Sequence, residues 1–125
     1  MGVGMSGREA EDAAARAYRS RCIEIEERED ALRMQEYRFG EAVDELLYRL
    51  GQSGRLVDEM RGAMPCMVRQ ASYALDELNA AQHEAALRCD ERRDEFAREK
   101  RALERQHDHA REAYHRSLET PGHRW

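Results

Sequence analysis

The sequence predicts an all-α protein, an elongated antiparallel two-helix coiled-coil hairpin. Three observations predict it. Apolar residues recur every seven positions at Tyr18, Ile25, Leu32, Phe39 and Leu46, in a background of Arg, Glu, Asp and Gln. A second series of the same period runs Val68, Leu75, Gln82, Cys89, Phe96, Leu103, Ala110. Between them, Arg61-Gly62-Ala63-Met64-Pro65-Cys66 combines Gly and Pro in a chain with only two prolines. A seven-residue apolar repeat makes a narrow seam on a helix, and a partner helix must cover it. A short turn makes the next helix that partner and forces it antiparallel.

Composition agrees. The chain has 125 residues, 38% charged and 6% aromatic, which suits one domain of long solvated helix and not a thick core. High charge with few aromatics also marks disordered chains, but the regular seam argues against full disorder. The net charge of −5 comes from interleaved acids and bases, without the basic stripe that nucleic-acid binding needs. Cys22, Cys66 and Cys89 are odd in number and unpaired in spacing, which reads as reduced and cytosolic. Met1 to Gly7 lacks the apolar stretch of a signal peptide. No run of about 20 apolar residues is present to cross a membrane.

Taken in order, residues 1–5 read as a flexible start. Ser6-Gly7-Arg8-Glu9 forms a capping box, so the first helix is expected over about 7–61. Ala10, Ala13, Ala14, Ala15 and Ala17 favour it. Cys22, Val43 and Leu50 fall four residues after members of the first series, while Glu29 and Glu36 occupy seam positions, where polar groups fix register. Gly51-Gln52-Ser53-Gly54 is a candidate kink, local unwinding or even the turn itself, since each Gly costs about 1 kcal/mol in a helix. The better turn is 62–65. Gly62 suits the left-handed residue that ends a helix, and Pro65 suits the first turn of the next.

The second helix is expected over about 65–118. Ala71, Leu78 and Ala85 form its interleaved series, which becomes polar at Arg92, Glu99 and Gln106. Thr120-Pro121-Gly122 is read as its stop, with 120–125 flexible. Helices of about 55 residues span roughly 80 Å. A turn centred on Met64 pairs Phe39 with Cys89, Leu32 with Phe96, Ile25 with Leu103 and Tyr18 with Ala110. Registers displaced by one heptad also match seam to seam, with the turn nearer Val57 or Met60.

Catalytic chemistry finds no foothold in these residues. There is no phosphate-binding Gly-rich loop and no Gly-x-Ser-x-Gly. Glu104 to His107 and Glu112 to His115 have Glu-x-x-His spacing, but both pairs lie on one helix, whereas a di-iron site takes them from two, with further Glu from others. His109 and His123 crowd the same region. Neither Cys22 nor Cys89 has a His near it in the expected register. Carboxylates such as Asp94-Glu95 lie on a charged face without a cleft. The expectation is a non-enzyme with no metal and no cofactor. The residues best suited to binding are Leu56, Val57, Met60, Met64, Met67 and Val68, at or near the turn. A hairpin tip has little of its own structure to bury them, and Met-rich surfaces adapt to partners. The competing reading is that they pack the turn.

The pattern resembles the small coiled-coil proteins of bacterial type III secretion, the FliJ/YscO-like stalk family of the virulence injectisome branch. The resemblance covers about residues 8–118. It rests on size, two long helices, Tyr18-Arg19-Ser20-Arg21-Cys22, and the run Asp90-Glu91-Arg92-Arg93-Asp94-Glu95-Phe96-Ala97-Arg98-Glu99-Lys100. Gly51-x-x-Gly54 is not matched to that family's pattern. The resemblance implies a non-catalytic stalk. Its end with both termini would enter a hexameric secretion ATPase, and its partners would include an export gate protein and free secretion chaperones. It also implies a bacterial cytoplasmic location, peripheral to the inner-membrane export apparatus. Two other readings stand beside it. One is a small helical chaperone for a secreted needle or filament subunit. The other is a self-associating structural coiled coil, a homodimer joined along the Ala-rich ends.

Overall fold

A computed structural model describes the backbone over residues 7–122 and side chains over 7–119. Helix α1 spans Gly7–Ala63, and helix α2 spans Val68–Gly122. A single 3-10 turn, Pro65–Met67, precedes α2. The fold is an all-α helical hairpin, and among the described residues no strand occurs. The candidate break at 51–54 is absent, because α1 is continuous through Gly40, Gly51, Gly54 and Gly62. Half-buried Leu50 and Val57 flank the Gly pair. Packing on both sides outweighs the propensity cost of two glycines. Ser6 of the capping box and the expected flexible residues 1–5 lie outside the described residues, as do 123–125 of the end expected to be flexible over 120–125, whereas Thr120-Pro121-Gly122, expected to stop the helix, are helical.

The turn differs from the expected one in its chemistry. No described glycine has positive φ, so Gly62 is not a left-handed cap. The chain leaves α1 at Met64 instead, with φ −127° and ψ 88°. The residue before a proline is pushed out of the helical region by the pyrrolidine ring, so Pro65 sets this exit. The Met64 amide donates to the Met60 carbonyl at 2.9 Å, and the Met67 amide donates to the Met64 carbonyl at 2.9 Å. The first adds one more bond to the end of α1, and the second closes the 3-10 turn. Helix α2 therefore starts at Val68, not at Pro65, and its backbone runs past Leu118 to Gly122.

The chain divides into two compact units, residues 34–96, which hold the turn, and residues 1–33 with 97–125. In the turn-bearing unit, Val43, Ala71 and Phe96 are buried. The Phe39 and Phe96 rings meet edge to face, 5.7 Å apart at 65°. The Arg92 guanidinium lies 4.2 Å over the Phe96 ring and also pairs with Glu95 at 2.7 Å. In the other unit Ile25 is fully buried at 0% exposure, and Leu32 and Leu103 are buried. Tyr18 and Tyr114 stack there at 4.8 Å, nearly parallel at 3°.

These contacts correct the expected register by one heptad, away from Val57 and Met60 and toward α2. Phe39 packs on Phe96 and not Cys89. Leu32 shares a groove with Leu103, and Leu46 shares one with Cys89. Tyr18 stacks on Tyr114, with Ala110 lining the same groove. Residues 64–67 are consumed by the turn, which moves its centre past Pro65. In the adopted register Glu29 Oε1 meets His107 Nε2 at 3.0 Å.

Candidate interaction surfaces

The six turn residues divide. Leu56 (61% exposed), Met60, Met64 and Val68 are exposed, whereas Val57 and Met67 are half-buried. Val57 continues the seam side of α1. Met67 sits inside the 3-10 turn, where its amide bond to Met64 holds it against the structure. The exposed four leave apolar surface on solvent at the turn, with exposed Cys66 among them.

Of the nine seam residues, Ile25, Leu32, Phe96 and Leu103 are buried, and Tyr18, Phe39, Leu75 and Cys89 are half-buried. Leu46 departs from the pattern at 42% exposed. Ala85 and Ala86, which line the same groove beside Cys89, are too small to cover it. Beside it, Leu47 is 48% exposed. Val43, Leu46, Leu47, Ala85, Ala86 and Cys89, with Asp90 and Arg93 at the lip, line an open groove of about 130 Å³. Periodicity missed Leu47 and Ala86, because both stand one residue off a seam position. Ala85 and Ala86 mark a place where the seam cannot close, but only the adopted register brings them to this groove.

A second groove, of about 170 Å³, lies in the other unit. Ala14, Ala17, Ala110 and Ala113 line it, with Tyr18, Tyr114, Arg21 and Ser117. Tyr114 was not in either seam series. Its signal was its place four residues after Ala110, on the same helix face.

Polar groups cross the seam beside this groove. Glu29 and His107 pair while both are about one-third exposed or less. Arg21 and Arg28 each donate to the Gln106 side-chain oxygen at 3.4 Å. Glu29 and Gln106 are two of the polar residues that interrupt the seam, and here they are engaged across it. Their chemistry is hydrogen bonding that specifies register, with His107 held by a carboxylate from α1. His109 lies with Arg105, Asp108 and Glu112 in a shallow dip. Among the described residues no three His, Cys, Asp or Glu side chains converge as a metal site. Cys22 and Cys89 are half-buried free thiols.

No described helix is long and apolar enough to cross a membrane. No known protein family, curated protein or solved structure matches this chain.

Proposed function

We propose that this chain is a non-catalytic accessory protein of a bacterial type III protein secretion system, acting as the stalk of its hexameric ATPase. The observation that carries the reading is the helical hairpin with an exposed apolar turn. Leu56, Met60, Met64 and Val68 present surface that the hairpin has nothing of its own to bury against. Such a surface suits a protein that works by contact, and the resemblance to FliJ/YscO-like stalks supplies the contact partners: the ATPase, the export gate protein and free secretion chaperones. In this reading the protein works in the bacterial cytoplasm beside the inner-membrane export apparatus. Mixing the purified chain with the secretion ATPase of the same bacterium is the test. Raised hexamerisation or ATP turnover supports the reading, and no binding with no change in turnover overturns it.

A different observation favours a second reading, a homodimer. Ala14, Ala17, Ala110 and Ala113 form a groove shallow enough for close approach of another helix. Sedimentation separates the two: a monomer suits the stalk, and a dimer lost on Ala14→Glu suits self-association. The needle-subunit chaperone reading draws on the half-open seam at Leu46 and Leu47, and co-expression with needle subunits tests it.

A further inference from the structure

Charge is divided unevenly between the two units. Residues 34–96 carry 13 acidic against 8 basic side chains, and the rest of the chain balances 13 against 13. The whole formal charge of −5 therefore belongs to the turn-bearing unit. Four of its eight bases are already engaged within their own helix: Arg49 with Glu45, Arg61 with Asp58, Arg88 with Glu84, and Arg92 with Glu95. Asp44, Asp90 and Asp94 of this unit are exposed.

The open groove at Leu46 and Leu47 belongs to this same unit. Asp90 stands on its lip. Asp44 lies three residues before Leu47, and Asp94 lies four after Asp90, so both neighbour the groove on their own helices. Both are exposed. The site thus has an apolar floor, small residues that admit a third helix, and an acidic rim with Arg93 as its counter-charge.

We propose that this groove docks a basic amphipathic helix from a partner protein. The partner's apolar stripe would cover Leu46, Leu47, Ala85 and Ala86, and its Lys or Arg flanks would meet Asp44, Asp90 and Asp94. Helix-in-groove recognition uses this division of labour, with apolar anchors for affinity and complementary charge for choice of partner. A second copy of the chain is the poorer occupant, because it would bring the same net negative charge to the same face. The proposal stands on the groove and its charge. Its failure leaves the secretion reading in place.

The test titrates the full chain with a labelled Leu/Lys peptide of about 18 residues, leucines on one helical face, and reads fluorescence anisotropy. Saturable one-to-one binding is expected, together with slower alkylation of Cys89 in a Cys22→Ser, Cys66→Ser background. Leu47→Asp, and separately Asp90→Arg with Asp94→Arg, should each weaken binding by about tenfold or more while helix content is unchanged. Raising salt should weaken it as well. The proposal is overturned if an isomeric peptide with leucines spread round the helix binds equally, or if both variants bind as tightly as the parent. It is also overturned if Leu47→Asp converts a dimer of the chain to monomer.

Discussion

Glu29 on α1 and His107 on α2 face each other at 3.0 Å, at a seam level where an apolar repeat would have put leucine. The pair is half-buried, and Gln106 beside His107 accepts from Arg21 and Arg28. One polar level of this kind distinguishes heptad-related registers that apolar residues alone leave equivalent.

The contribution of this pair to stability is expected to be small. Glu29→Ala and His107→Ala, combined in a double-mutant cycle read by urea unfolding, should show a coupling of about 0.5–1 kcal/mol. A coupling indistinguishable from zero would mean that the register is held by the apolar layers alone.

The register itself can be read with a native thiol. Leu46 and Cys89 line one groove. Leu46→Cys, made with Cys22→Ser and Cys66→Ser, should therefore cross-link to Cys89 on mild oxidation. Phe39→Cys in the same background should not, because Phe39 lies against Phe96. The reverse result would restore the register centred on Met64.

Gly51 and Gly54 are helical without positive φ, and a β-carbon built at Gly54 meets nothing within 4 Å. At Gly51 it meets only the far end of the Arg55 side chain, at 3.9 Å. Replacing either by alanine removes backbone freedom from the unfolded chain without a clash. Each change should raise stability by about 0.5–1 kcal/mol, seen as a higher thermal midpoint. Loss of stability at both would show that flexibility there is needed by the fold.

Phe96 and Tyr48 make a contrasting pair. Phe96 is buried between Phe39 and Arg92, whereas Tyr48 is exposed. Phe96→Ala should cost about 3–4 kcal/mol. Tyr48→Ala should fall within about 0.5 kcal/mol of zero. Equal effects would show that the seam does not carry the stability of the turn-bearing unit.

The helices, and the face that each buries, are legible in the order of the residues. A seven-residue repeat is a property of one helix, so Ile25, Leu32, Phe96 and Leu103 could be assigned to the interior without knowing what met them. That order also located the turn to within a few residues, since Pro65 acts on the backbone of its immediate neighbour. Which residue met which was decided only by the tertiary structure. Registers one heptad apart match apolar seam to apolar seam equally, and what marks the adopted one is the Glu29–His107 pair and the aromatic contact at Phe39, both visible only once two helices are laid together. The open groove at Leu46 and Leu47 has the same origin. An apolar residue at a seam position promises burial, but the alanines across from it decide whether burial occurs.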